Sequence, residues 1–79
     1  MSRTLLDVKG LNCPLPVLRA NKALRPLAAG EELEVQATDP AAPKDFESFC
    51  VAAGHQLVES GDRDGVFTIV VRKAGPTAG

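Results

Sequence analysis

A cysteine placed directly before a pair of prolines is the feature of this sequence with the clearest chemistry. Cys13 opens the run Cys-Pro-Leu-Pro-Val at positions 13–17, ahead of an apolar periodic stretch. Proline is tolerated in the first turn of a helix, because the N–H it lacks would have no partner inside the helix. We therefore predict a helix that begins at Pro14, with Cys13 as its N-cap and the N–H groups of Leu15 and Val17 free beside the sulfur.

This position predicts a thiol that ionises readily. Serine, threonine, aspartate and asparagine are better N-caps than cysteine, so a cysteine at position 13 calls for a chemical reason. The partial positive charge of a helix N-terminus favours a thiolate. We therefore expect the pKa of Cys13 to be modestly lowered. The resulting fraction of thiolate is enough for sulfur exchange but too small for a hydrolytic nucleophile that acts without a base.

The second cysteine and the single histidine fit structural roles better. Cys50 shares a predicted helical face with Phe46 and Phe49, which favours a buried core thiol; a resolving thiol is the alternative. His55 follows that helix, and we predict a surface strand residue at the edge of the domain opposite Cys13. This separation argues against a cysteine hydrolase and against a metal site built from these three side chains. We predict no metal and no cofactor.

The residue pattern predicts the element order βαβαββ in one domain, residues 1–73, followed by a disordered tail over 74–79. Both helices are amphipathic and the strands alternate, which is typical of an α/β (α+β) two-layer sandwich: a four-stranded mixed sheet with two helices packed on one face. Strands are predicted over 4–8, 31–38, 55–60 and 66–73, with a turn-rich loop at 61–65, and helices over 14–28 and 42–53.

The predicted topology brings two loops together. A right-handed crossover makes the first two strands parallel, so the loops that leave their carboxyl ends share one edge of the sheet. These loops carry Cys13 and Asp39, and we expect Asp39 to contact partners or to orient the sulfur. Leu15 projects off the core stripe and could contact a partner beside the thiol. A basic stripe on the first helix is either a solvated face or a docking surface for an acidic partner: Arg19, Lys22 and Arg25.

Composition excludes several classes of function. The 79 residues carry a net charge of -1 and contain three Phe but no Trp or Tyr, which argues against binding to duplex or single-stranded nucleic acid. No signal-like segment is present, and no apolar run approaches the roughly 20 residues of a membrane span. We therefore expect a cytoplasmic monomer with reduced cysteines and no contact with membranes.

From Leu6 to about Lys73 the chain resembles the TusA/SirA-like family of small sulfur carriers, which share a Cys-Pro-x-Pro signature. The proline-flanked Cys13 is the specific part of the resemblance, which implies a βαβαββ two-layer sandwich. The supporting matches are Gly10-Leu11, Val17, Gly30-Glu31, Asp39-Pro40, Phe49-Cys50 and Val71-Arg72-Lys73.

The resemblance also implies a function. Cys13 would carry a persulfide sulfur received from a cysteine desulfurase or a rhodanese-like donor, with Pro14, Pro16 and Val17 supporting it, so the protein would act as a persulfide sulfurtransferase. Acceptor proteins would belong to relays toward tRNA thiolation, molybdenum-cofactor metabolism or sulfur oxidation. The position between the prolines is often acidic in tRNA-thiolation members but is Leu15 here, which leaves the pathway open. The alternatives are a redox regulator that pairs Cys13 with Cys50, and a non-catalytic interaction module.

Overall fold

The computed structural model describes residues 3–75 and shows one mixed sheet with two helices. The strands lie in the order β1-β2-β4-β3; β1 pairs parallel with β2, and the other two pairings are antiparallel. The predicted fold class is confirmed. In chain order the elements are β1 (Arg3–Asp7), α1 (Leu15–Leu24), β2 (Glu32–Ala37), α2 (Ala42–Ala53), β3 (Gln56–Arg63) and β4 (Val66–Arg72).

The core lies between one face of the sheet and the two helices. On β2, Leu33, Val35 and Ala37 are fully buried, whereas the intervening residues are partly exposed. This is the alternation expected of a strand with one covered face. The same cluster takes Ile69 and Val71 from β4, and its helical members are Ala20, Leu24, Ala42, Phe46 and Cys50.

Helix α2 has the bounds that periodicity predicts. Ala42, Phe46 and Cys50 recur at every fourth position and are buried. Gly54 ends the helix in the left-handed conformation, with φ at 80°, and donates its N–H to the carbonyl of Cys50. The predicted core role of Cys50 is confirmed, and burial raises the pKa of its thiol.

Helix α1 is shorter at both ends than predicted. It begins at Leu15, so Pro14 and not Cys13 is the N-cap, and it ends at Leu24 instead of continuing to position 28. Pro26 explains the early end, since it has no N–H to donate back along the helix. The helix instead ends in hydrogen bonds that span three residues and not four. Arg25 donates its N–H to the carbonyl of Lys22 at 3.3 Å, and Leu27 donates to the carbonyl of Leu24 at 3.1 Å.

The β3–β4 hairpin turns on two residues and not on the five-residue loop that we predicted. The ladder extends to the pair Arg63 and Val66, so only Asp64 and Gly65 lie between the strands. Both have positive φ, 53° and 83°, which is the conformation of the tight hairpin turn that Asp-Gly favours.

His55 lies just before β3, and the structure gives it partners that the sequence analysis did not foresee. It is half-buried, with its ring centroid 5.6 Å from that of Phe49. Its Nδ1 accepts a hydrogen bond from the backbone N–H of Ala74 at 2.9 Å. Of the predicted tail, Ala74 is therefore held against His55, and residues 76–79 lie outside the described residues.

This contact predicts that stability falls in mild acid. Burial, and then the charge of Lys73, lower the pKa of His55, so the folded state favours the neutral ring whose Nδ1 accepts from Ala74. The resulting stabilisation is present above the unfolded pKa of about 6.5 and is lost as pH falls through the lower folded pKa. We expect the NMR titration of this single histidine to give a pKa below 6.5, and the urea midpoint to fall between about pH 7 and pH 5. A His55→Gln variant should lose much of that pH dependence; an equal dependence in both proteins would contradict the assignment.

Candidate functional site

Asp39 anchors the loop that carries Cys13. The two residues follow β1 and β2, and they meet at the same sheet edge, as the parallel topology predicts. The backbone N–H of Cys13 donates to Asp39 Oδ2 at 2.5 Å, and that of Ala41 donates to Oδ1 at 3.0 Å. These bonds, from Ala41 first and Cys13 second, lower the pKa of Asp39. Its ionised carboxylate therefore ties the cysteine loop to the start of α2.

The backbone around Cys13 differs from the predicted helix cap. Cys13 lies one residue before the N-cap, and the Cys13–Pro14 peptide bond is cis. Leu15 donates its N–H to the carbonyl of Asn12 at 2.9 Å, so this group is not free for the sulfur as predicted. Pro16 is buried and Val17 packs against the core cluster, which fixes the first turn of α1 beneath the exposed cysteine.

A shallow, largely apolar groove of about 370 Å³ lies beside the thiol, between the start of α1 and α2. On the α2 side its residues are three and four positions apart, which places them on one helical face. That face lies next to the one that buries Phe46 and Cys50. The groove is lined by Cys13, Pro14, Val17, Asp45, Ser48 and Phe49.

Asp45 reverses the predicted electrostatics of the thiol. Its carboxylate lines the same groove as Cys13 and is the main reason that the pKa of Cys13 is raised; desolvation and the charges of Asp45 and Asp39 act in the same direction. The prediction of a lowered pKa is therefore wrong. The helix N-terminus argument considered only groups adjacent in sequence, whereas Asp45 reaches the thiol because α1 and α2 pack together.

The outer face of α1 presents apolar and basic side chains next to this groove. Leu15 is 43% exposed, as predicted, and Leu18, one turn further on, is 56% exposed. Arg19, Lys22 and Arg25 are exposed as well, and none of them forms an ion pair with another residue of the described range 3–75. Leu18 was missed by the sequence analysis, although its position three residues after Leu15 could have revealed it.

The family model of "Sulfurtransferase TusA" matches residues 4–73, which is most of the chain. The chain belongs to the TusA sulfurtransferase family. A protein of Neisseria meningitidis, named as a candidate sulfur carrier, is 54% identical over 72 residues, covering 91% of this chain and 97% of that protein. The sulfur carrier protein TusA of Allochromatium vinosum is 46% identical over 69 residues, covering 87% of this chain and 91% of its own.

A solved structure shares the TusA-family fold seen here. The crystal structure of a SirA-like protein from Desulfitobacterium hafniense superimposes with a TM-score of 0.80 at 29% sequence identity. The match covers 90% of this chain and 97% of the other. The family and the architecture therefore support the role of a sulfur carrier.

Residues 3–75 of this TusA-family chain hold neither a metal-binding cluster nor a membrane-spanning helix. The described side chains contain no group of three or more His, Cys, Asp or Glu residues that could hold a metal ion. Within the same range, neither helix is long and apolar enough to cross a membrane.

Proposed function

We propose that Cys13 carries sulfur as a persulfide between two partner proteins. Its thiolate attacks the terminal sulfur of a persulfide on the donor; a new S–S bond forms, and the donor cysteine leaves as a thiolate with the electron pair. In the second transfer an acceptor thiolate attacks the terminal sulfur, and Cys13 leaves as the thiolate. The terminal sulfur passes from one thiolate to another without a change of oxidation state, so neither transfer needs an external oxidant or reductant. Each leaving thiolate can then take up a proton.

The observation that carries this proposal is an exposed thiol on an anchored loop. Cys13 is accessible, its backbone is held by Asp39, and the turn beneath it is fixed by the buried Pro16. The groove beside it is shallow, which suits a carrier whose partners complete the site. Cys50, by contrast, is 3% exposed and lies within the core cluster.

The partners that we propose follow from the family and from the surface of α1. The donor is a cysteine desulfurase or a rhodanese-like protein, and the acceptor is a protein cysteine of a sulfur relay in the reducing cytoplasm. Leu15 and Leu18 would enter an apolar depression on either partner. Arg19, Lys22 and Arg25 would pair with acidic groups around that depression.

The alternative of a redox switch has less support. A disulfide needs Cα atoms within about 7 Å and accessible sulfurs. The sulfur of Cys50 would have to leave the core, where it packs between α2 and the sheet, before it could meet Cys13. Under mild oxidation we therefore expect little intramolecular disulfide.

Mass spectrometry tests the carrier proposal. The protein is incubated with a cysteine desulfurase and free cysteine, and its intact mass is measured. We expect a gain of about 32 Da, one sulfur atom, that dithiothreitol removes and that peptide mapping places on Cys13. Omission of the desulfurase is the control. Absence of the adduct, or an adduct placed on Cys50, would overturn the proposal.

A further inference from the structure

Asp45 is a carboxylate beside the thiol that no cation of the described range neutralises. It lies in the first turn of α2 and is half-buried. The ion pairs of residues 3–75 join Arg3, Lys9 and Arg72 to carboxylates elsewhere, and none involves Asp45. Asp45 is therefore left without a cationic side-chain partner among the described residues, so a cation of another protein can pair with it.

No cationic side chain of the described residues lines the groove, so the partial positive charges of the helix N-termini are the positive potential there. Its other lining residues are neutral, including the cysteine in its thiol form. The second charged group that acts on the thiol is Asp39, whose carboxylate is also negative. The groove is therefore mostly apolar and carries the negative charge of Asp45. One side of it is open to solvent.

We propose that Asp45 restrains Cys13 in the free protein, and that a partner activates the thiol by placing a lysine, arginine or protonated histidine in this groove. This inference rests on the proposed function and names the chemistry that a productive partner must present. The side chain supplied by the partner pairs with Asp45 and removes the negative potential that opposes the thiolate.

The restraint acts on both transfers. Sulfur exchange begins from a thiolate, and the neighbouring carboxylates favour the protonated thiol, so the free protein reacts slowly with donor persulfides and with oxidants. When the sulfur is passed on, Cys13 must leave as a thiolate, and a thiol with a raised pKa is a poor leaving group. The same cation would therefore promote both loading and release, while the proton of the thiol passes to solvent.

The pH dependence of alkylation provides the first test. The rate at which iodoacetamide modifies Cys13 is measured from about pH 6 to pH 10 in wild type and in Asp45→Asn, with peptide mapping to exclude Cys50. We expect the profile of the variant to move to lower pH and its rate at neutral pH to rise. Glu47→Gln removes the same charge from α2, at a position that does not line the groove, and should follow wild type.

Charged reagents test the proposed partner chemistry. Cys13 is treated with two methanethiosulfonates that differ in charge, the cationic trimethylammonium-ethyl reagent and the anionic sulfonatoethyl reagent. Wild type should prefer the cationic reagent, and Asp45→Asn should reduce this preference by roughly 1.4- to fivefold, the range for one exposed charge pair. Added salt should also reduce the preference of wild type for the cationic reagent, as Asp45→Asn does. This comparison tests the electrostatic attraction without a mutation.

Neither experiment involves persulfide, so failure of this inference is distinct from failure of the carrier function. Identical pH profiles and identical reagent preferences in wild type and Asp45→Asn would overturn it, as would equal changes in Glu47→Gln. A salt-independent preference in wild type would also contradict it. Failure of the desulfurase to load Cys13 would instead overturn the proposed function and leave the electrostatic result intact.

Discussion

With serine in place of Cys13, transfer of radiolabelled sulfur from a cysteine desulfurase to an acceptor protein is expected to fall to background. A serine hydroxyl cannot form the persulfide, so the loss should be complete rather than partial. The side chain is exposed and the loop is held through its backbone N–H, so the variant should unfold at the same urea concentration as wild type. The measurement is label on the acceptor, separated by gel, alongside a urea titration.

Cys50→Ser is the matched control for this loss. It removes the other thiol but leaves the exposed site intact, so transfer should persist under conditions where the protein is folded. Stability should fall by about 1–3 kcal/mol, because the serine hydroxyl would be buried in the apolar cluster. Residual transfer by Cys13→Ser, or loss of transfer by a folded Cys50→Ser, would contradict the assignment of the carrier sulfur.

The second large effect is expected from Phe46→Ala. Phe46 has no exposed surface, is the largest fully buried side chain among residues 3–75, and makes an edge contact with Phe49 at a ring-centroid distance of 6.3 Å. Phenylalanine to alanine in a core costs about 3–5 kcal/mol, against a total of roughly 4–12 kcal/mol for a chain of this length. We expect a partly or wholly unfolded protein at 37 °C, measured by circular dichroism and urea denaturation.

Val51→Ala controls for the loss of an apolar side chain from the same helix. Val51 is 82% exposed, so its truncation should change the free energy of unfolding by less than about 0.5 kcal/mol. If Phe46→Ala unfolded at the same urea concentration as Val51→Ala, the core described for α2 would be wrong.

Periodicity and topology predicted much of this molecule. The alternation on β2 and the four-residue spacing on α2 follow from burial against a single core, and both are visible in the sequence. The meeting of Cys13 with Asp39 follows from the parallel order of β1 and β2, since loops from the same ends of parallel strands share an edge. The family resemblance, by contrast, rested on the Cys-Pro-Leu-Pro motif that begins at Cys13 and not on periodicity or topology.

The remaining features depend on geometry that sequence spacing does not carry. The groove exists because α1 and α2 pack side by side, which brings Asp45 to a cysteine 32 positions earlier in the chain and reverses the expected pKa shift. The early end of α1 reflects Pro26, which has no N–H to continue the helix to the predicted residue 28. The two-residue turn could have been found from Asp64-Gly65, which is a strong hairpin signal.

The hydrogen bond from the Cys13 N–H to Asp39 has a consequence for the proposed transfer of sulfur. Because the carboxylate holds the amide and not the sulfur, we expect the loop to keep one shape with or without a persulfide sulfur on Cys13. We expect an acceptor that recognises this shape to bind the thiol form and the persulfide form with similar affinity. The thiol form should therefore compete with the persulfide form for the acceptor. The overall rate of sulfur transfer is then set by how quickly the donor reloads Cys13 with sulfur.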